Sequence, residues 1–468
     1  MYRRQFLNRL MLGTAAACLP ASAFAASIDN SGASPVPLSI TDRTIEVNGR
    51  AARVYGLQRP GGAPGLVLNA GDLFNVTLSN QSAEPTLIHW HGLTPPWALD
   101  GVPDNPAPLL RPGEERRYTF PVGEGGTHWM HAHTLQEQSL LSAPLIVRKA
   151  DEQGEDRQEV VMLLHDFSFK SPEELLAGLQ SGGDGRQGMG GMHGMHGMSG
   201  MQMDINDIDF DAYLTNDRTL DDPEIIPVEK GGRVRLRIIN AAAATAFTLD
   251  TIALRARLAA VDGREIAPVA GRYFPVSMGQ RLDLLLDLPA GEGAYPVLAL
   301  REGALEQTGL ILATQGASVS RLSTKAETSG PVLDTAFEAG LSARQPLPQT
   351  DATRRFNLTL GGSMNGYQWS IVGGDGLNVS RGDRVQIAMR NMSMMGHPMH
   401  LHGHHFQVVG LNGRAINGAV RDTLHVPAMA TVEIAFDAQN PGRWPFHCHQ
   451  LYHMASGMMA YVNYDRVG

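Results

Sequence analysis

Cysteine is the scarcest functional residue of this chain: 468 residues contain two. Cys18 falls in a leader-like N-terminus, which leaves Cys448 as the one cysteine of a mature chain. A single thiol forms no intramolecular disulfide, so Cys448 is inert, reactive or a metal ligand. Charge is also thin, at 18% of residues with a formal net charge of −9. That balance argues against a nucleic-acid partner and weakly favours small cations. No segment is long and apolar enough to span a bilayer, so no membrane span is expected.

Glycine, proline and methionine are plentiful, at 52, 28 and 21 residues. Glycine and proline with few charges fit many short strands joined by turns. The N-terminus reads MYRRQFLNRLMLGTAAACLPASAFA. Arg3-Arg4 before Phe6-Leu7, a short apolar run and the A-x-A pattern Ala23-Phe24-Ala25 resemble a twin-arginine export signal. Residues 1–25 are expected to be removed during passage through the twin-arginine export machinery to the periplasm. That route carries folded proteins and suits a metalloprotein. Ala15 stands where a lipoprotein signal prefers Leu, which argues against a lipid anchor.

Three twelve-residue segments align without gaps: NAGDLFNVTLSN (69–80), EKGGRVRLRIIN (229–240) and SRGDRVQIAMRN (380–391). Each has Gly third, then alternating apolar residues, then a closing Asn. The pattern reads as a turn entering a half-buried strand. The segments start 160 and 151 residues apart, a spacing for whole domains. The prediction is an all-β protein of three related sandwiches: 26–152, 153–316 with an insert at 181–203, and 351–468 after a linker at 317–350.

Nine residues after Asn80 comes His89-Trp90-His91-Gly92, and nine after Asn391 comes His400-Leu401-His402-Gly403. Five residues after Gly126 and Gly442 come His131-Ala132-His133 and His447-Cys448-His449. The middle repeat has Leu249 and Thr251, then Leu298-Ala299-Leu300, in the corresponding places. Residues i and i+2 of a strand share a face, so each His-x-His presents two imidazoles together. The economical arrangement puts metals between the first and third domains, with the middle domain as spacer. Cys448 points away from His447 and His449, so one strand touches two sites. A blue-copper site needs two His, one Cys and a weak axial Met, and HCHQLYHMASGM offers Cys448, His453 and Met458 for it. Imidazole-only ligation suits copper on the other face, whereas redox-inert zinc gains nothing from such wiring.

His89-Trp90-His91-Gly92, His131-Ala132-His133, HPMHLHGH (397–404) and HCHQLYHMASGM resemble the four copper motifs of multicopper oxidases, in order and across the mature chain. With the leader and the Met-rich insert, the chain is most similar to bacterial copper-resistance oxidases of the CueO/CopA type. The resemblance implies three cupredoxin-like Greek-key β-sandwich domains and four copper ions. It implies a type 1 copper on His397, Cys448 and His453 with Met458 axial, and a type 2 copper on His89 and His400. The type 3 pair would take His91, His131 and His449 on one side and His133, His402 and His447 on the other. In such enzymes the type 1 site takes single electrons from substrate and the other three coppers reduce dioxygen to water. Because Ala132 and Ala299 stand opposite Cys448 in the repeat, Cys448 is expected to be the only electron entry point.

Asp100, eleven residues after His89, occupies the place of an acidic residue beside the cluster in similar oxidases, which implies proton relay; a turn aspartate is the plainer reading. Some relatives carry Glu directly after the last type 1 His, where this chain has Met454. In SGGDGRQGMGGMHGMHGMSGMQM (181–203), Met189, Met192, Met195, Met198 and Met201 recur every third residue, interleaved with His193 and His196. The glycine content favours a loop, and thioethers suit Cu(I), so the insert reads as a Cu(I) trap. Met392, Met394, Met395 and Met399 surround His397. Met395 resembles a substrate-copper ligand of cuprous oxidases, some of which have Asp where this chain has Ser393. Core packing is the alternative for each. His128, His404 and His405 read as cluster neighbours or strand residues; His165 and His425 read as structural or surface residues. The expected activity is oxidation of Cu(I) by dioxygen. The alternatives are a laccase-like oxidase of phenols and a copper-sequestering protein without turnover, for which redox wiring would have no use.

Overall fold

The computed structural model describes residues 34–182 and 205–465. The export signal and the insert residues Met189, Met192, His193, Met195, His196, Met198 and Met201 lie outside the described residues. The insert is entered from the helix Pro172–Ser181, which starts on a Ser171/Glu174 capping box and stops at Gly182 in the left-handed region.

Strands form three pairs of sheets, each pair a sandwich. The three repeats fold alike. Strand Leu73–Asn80 lies between Val36–Val47, parallel, and Glu115–Pro121, antiparallel. Strand Arg233–Asn240 lies between Gln158–Phe167 and Arg281–Asp287 in the same senses. Strand Arg384–Asn391 lies between Arg354–Ser363 and Thr431–Asp437, again in those senses. The sandwiches are cupredoxin-like, and the described residues are all-β apart from short helices.

The shared ends of the three repeats have physical causes. Gly71, Gly231 and Gly382 sit at φ +88°, +65° and +95°, where a side chain is strained. Asn80, Asn240 and Asn391 are fully buried. Each Nδ2 donates to two or more loop carbonyls, as in Asn240 to Thr245 at 2.9 Å and Val276 at 3.0 Å. Each Oδ1 accepts from the backbone two residues on. Replacing one of these Asn by Ala would orphan buried groups, at about 1–3 kcal/mol for each. The closing Asn thus ties the strand's end to the loops beyond it, and in the outer domains the histidine strand follows.

In the second sheets, Ile88–His89 pairs with Gly126–Ala132 and sets His89 opposite His131. Strand His397–Leu401 pairs with Arg443–Cys448 and sets His400 opposite His447. The middle domain pairs Leu249 with Ala299, one residue out of that register. A slip of one residue exchanges the two faces of a strand, so the middle sheet lacks the geometry of the site as well as its ligands. Among the described residues, no helix is long and apolar enough to cross a membrane.

Candidate metal centre

Eight imidazoles converge between the first and third domains. Ring nitrogens of His91, His131 and His449 form one group, those of His133, His402 and His447 a second, and those of His89, His91 and His400 a third; each group lies within 4.8 Å. All eight residues are buried. In each of the four His-x-His segments the first His is in a strand and the second lies just past the strand's end, so the convergence comes from two paired strand ends in each outer domain.

Outer hydrogen bonds decide which nitrogen of each ring points inward. His89 Nδ1 donates to the Asp100 carbonyl at 3.0 Å, His400 Nδ1 to the Asp422 carbonyl at 2.9 Å and His447 Nδ1 to the Cys448 carbonyl at 2.9 Å. His402 Nδ1 donates to Asp100 Oδ2 at 2.8 Å. His131 Nδ1 lies 3.0 Å from the Ala132 carbonyl, an acceptor only, and 2.7 Å from Glu137 Oε2. These rings therefore turn bare Nε2 atoms toward the cluster. His91 is reversed: its Nε2 faces Asp422 Oδ1 at 3.1 Å, and its buried Nδ1 has no partner.

The bare nitrogens face one another. His400 Nε2 is 3.4 Å from His89 Nε2, and His447 Nε2 is 2.9 Å from His402 Nε2 and 3.4 Å from His133 Nε2. Burial and the neighbouring imidazoles hold His91, His131, His402, His447 and His449 well below the usual histidine range and His133 at about 3. Protonation therefore does not relieve the facing lone pairs, whereas cations between them would. The donor set fits bound copper.

On the other face of the same strand, Cys448 Sγ lies 3.8 Å from His397 Nδ1 and 3.7 Å from His453 Nδ1, and those nitrogens are 3.1 Å apart. Ser393 Oγ, whose proton goes to Asn391 or Met395, accepts from His397 Nε2 at 2.7 Å. Asp207 Oδ2 accepts from His453 Nε2 at 2.9 Å. Both Nδ1 atoms are left as bare donors. Burial pushes the Cys448 thiol well up, so a thiolate here calls for a cation beside it. Met458 is fully buried, and its backbone is paired with Cys448 and His453. Trp369 packs on His453 with ring centroids 3.9 Å apart.

The other sequence candidates separate by burial. Met395 is half-buried against the core, Met392 and Met394 are exposed, and Met399 is a core residue opposite Cys448 in the sheet. Asp100 is fully buried with Oδ1 unpartnered. His165 bonds Ser142 at 2.7 Å; His425 bonds Ser277 at 3.0 Å and pairs with Pro398, next to His397 in the sheet. His404 bonds Tyr464 at 2.6 Å, and His405 accepts from Arg264 at 3.0 Å.

Four functional neighbours escaped the sequence reading: Asp207, Glu137, Asp422 and Arg281. None lies in a histidine motif. Asp422 is placed by Arg281, whose guanidinium and the facing imidazoles outweigh burial and hold the Asp422 carboxyl well below the usual carboxylate range. Glu137 is pushed well above that range by burial and by Asp166. Asp422 directly precedes the strand Thr423–Val426 in a run of buried residues, and no pattern in the sequence marks it.

Three sandwiches, an imidazole cluster at one domain junction and a Cys/His site on the other face of one of its strands define a copper-dependent oxidoreductase. Three family models, each described as multicopper oxidase, match residues 39–152, 158–317 and 342–467. Multicopper oxidase MmcO of Mycobacterium tuberculosis is 30% identical over 88% of this chain and 82% of its own. Copper resistance protein A of Escherichia coli is 26% identical over 99% of both. The crystal structure of a multi-copper oxidase from Pseudomonas thermotolerans superposes with a TM-score of 0.67 at 25% identity, over 92% of this chain and 98% of that one. The chain belongs to the multicopper oxidase family, whose members couple oxidation of a substrate to reduction of dioxygen.

Proposed function

We propose that this protein is a periplasmic cuprous oxidase that converts Cu(I) to Cu(II) with dioxygen as acceptor and protects the cell envelope from copper. Cys448, His397 and His453, with Met458 axial, would hold a type 1 copper, and His89 with His400 a type 2 copper. His91, His131 and His449 would hold one type 3 copper, and His133, His402 and His447 the other. The observation that carries this reading is the shared strand: Cys448 faces one group while the flanking His447 and His449 face the other. The bound coppers supply one-electron transfer at the cysteine site and four-electron reduction of dioxygen at the cluster.

The chain's own residues supply the rest. Four Cu(I) give four electrons, and four protons complete two waters. Asp100 holds a carboxylate beside His402 with Oδ1 free, which supports a role as proton carrier to the cluster. Burial of all eight imidazoles excludes bulk water from the reacting space. The three domain units, the leader at 1–25 and the insert at 181–203 are part of this reading.

Cu(I) as substrate is supported by the methionines. Met392 and Met394 are exposed and Met395 half-buried beside His397, and soft thioethers suit Cu(I). The Escherichia coli relative is named for copper resistance. A laccase-like oxidation of phenols is the second reading. It is favoured by Asp207, whose Oδ1 has no partner and could accept a phenolic proton beside His453.

Oxygen uptake by the purified copper-loaded protein separates these. Cu(I) is expected to be consumed with a stoichiometry of four per dioxygen, and faster than a phenol. Deleting residues 183–203 is expected to slow Cu(I) oxidation and spare phenol oxidation. Equal loss of both, or no loss of either, removes the insert from the mechanism, and a protein that takes up copper without consuming oxygen is a store.

A further inference from the structure

The middle domain carries no histidine at the positions where its neighbours carry theirs, yet it reaches the cluster. Arg281, the first residue of the strand Arg281–Asp287, is fully buried. Its Nη1 and Nη2 donate to Asp422 Oδ1 and Oδ2 at 2.7 and 2.5 Å. Its Nε donates to the Thr127 carbonyl at 3.1 Å, and Nη1 also to the Gly279 carbonyl at 3.0 Å. One side chain thus joins all three domains through a bidentate carboxylate contact, a geometry Lys cannot reproduce.

Asp422 passes that constraint to the cluster from both of its ends. Its side chain accepts from His91 Nε2 and its carbonyl from His400 Nδ1, at 3.1 and 2.9 Å. Thr423 Oγ1 donates to Asp422 Oδ1 at 2.8 Å and lies 3.1 Å from each of those ring nitrogens. Asp262, also from the middle domain, accepts from the backbone N of Arg281 at 2.8 Å and from Thr423 N at 3.2 Å, so the peptide beyond Asp422 is held as well.

His91 is the ring whose polarity is reversed relative to the other fixed rings. An anionic, immobile acceptor at Nε2 keeps the proton there and leaves Nδ1 as the lone pair that faces His131 and His449. We infer that Arg281 is a positioning residue of the oxygen-reducing centre: by clamping Asp422 it fixes which nitrogen of His91 is offered to the metal. The middle domain then completes a cluster to which it contributes no ligand. This inference rests on the copper assignment above.

Arg237 provides the contrast. It too is fully buried between domains, bonded to Asp283, Glu152, Glu159 and Thr127 Oγ1, but to none of the cluster's partners. A purely structural clamp would make the two arginines equivalent.

The test compares Arg281→Gln, Arg281→Lys and Arg237→Lys in the full-length, copper-loaded protein. Copper per chain, the blue absorption, the type 2 electron paramagnetic resonance signal and thermal melting are read together. Both Arg281 variants are expected to keep the blue band, to bind cluster copper about 10–100-fold more weakly and to shift the type 2 signal. Arg237→Lys is expected to lower Tm and leave the signals unchanged. A folded Arg281→Gln protein with full copper and an unaltered type 2 signal overturns the inference. If neither Arg281 variant folds, a copper-loaded crystal structure of the unaltered protein decides: metal on His91 Nδ1 supports the inference and metal on Nε2 overturns it. Unaltered protein that binds only the cysteine-site copper overturns the copper assignment itself, a result visible without any variant.

Discussion

Asp100→Asn tests the proton-carrying role with almost no change of shape. Asp100 is fully buried, and its Oδ2 accepts from His402 Nδ1 at 2.8 Å. Its Oδ1 lies 3.3 Å from His89 Nδ1, whose proton is already given to the Asp100 carbonyl at 3.0 Å. In the variant, the amide oxygen can still accept from His402 Nδ1. The amide NH2 then occupies the Oδ1 position, a donor facing the His89 N–H with no acceptor available. That orphaned donor costs about 1–3 kcal/mol, which lowers Tm without unfolding the domain. The kinetic effect should be larger. An amide cannot carry a proton, and loss of a positioned proton carrier typically costs about 10²–10⁴ in rate, or about 2.7–5.5 kcal/mol in the barrier. Stopped-flow mixing separates the two halves of the cycle. Bleaching of the blue band by Cu(I) should keep its rate, because Asp100 does not touch the cysteine site. Return of the blue colour when fully reduced protein meets dioxygen should slow by about 100-fold or more. Copper content measured on the same sample excludes metal loss. Reoxidation within about threefold of the unaltered protein, at full copper content, would refute the role and return Asp100 to a structural acceptor for His402 and His89.

Cys448→Ser should abolish the blue colour and all turnover while the type 2 resonance signal persists, because the eight cluster imidazoles do not include it; a colourless variant that still consumed oxygen would refute the single-entry reading. Away from both sites, burial pushes Glu302 up to about 7. A carboxyl raised in the folded state stabilises below its unfolded value of about 4.3 and loses that contribution as pH rises through 7. Glu302→Gln keeps the acceptor for Leu333 N, now 2.7 Å from Oε1, and removes the titration. It should therefore stabilise the metal-free protein by up to about 3 kcal/mol at pH 8 and by little at pH 4.5, measured by denaturant unfolding at both; a pH-independent difference would exclude Glu302 as the titrating group.

The legible parts of this protein were those with a local period. The Gly-strand-Asn repeat exposed the three sandwiches because a left-handed turn and a buried Asn clamp are each demanded within a dozen residues. The His-x-His pairs exposed the cluster because the two-residue period of a strand puts both rings on one face. Cys448 between two His exposed the second site for the same reason. What stayed hidden was tertiary. Asp207 reaches His453 from 246 residues away, and Arg281 reaches Asp422 from 141; neither interval has a periodic signature. The offset pairing of Leu249 with Ala299 was equally silent, because the apolar middle strands carry no residue that marks which face is which. Methionine was ambiguous from the start: Met399 and Met395 lie four residues apart, and burial alone separates a core side chain from one near the surface.

Both hidden contacts originate in the same domain, and that bears on why a three-domain chain persists when the other two domains hold every residue of the imidazole cluster and of the Cys448 group. At the cysteine site, Asp207 fixes His453 and is itself held by Tyr367 and, at 2.6 Å, by Gln450 of the third domain. At the cluster, Arg281 fixes Asp422, and Gly279 lies so close to His449 that a Cβ there would stand 2.7 Å from the ring. A two-domain assembly with identical histidines would leave His453 Nε2 and Asp422 without these partners, in a site too buried for water to replace them. An unpaired buried Asp422 would favour its neutral form, and the proton that His91 keeps at Nε2 would lose the anion that holds it there. The middle domain therefore cannot be exchanged for a linker of equal span. Its contribution to each metal site is a carboxylate or guanidinium that sets the orientation of another domain's imidazole, and that is the respect in which it is more than a spacer.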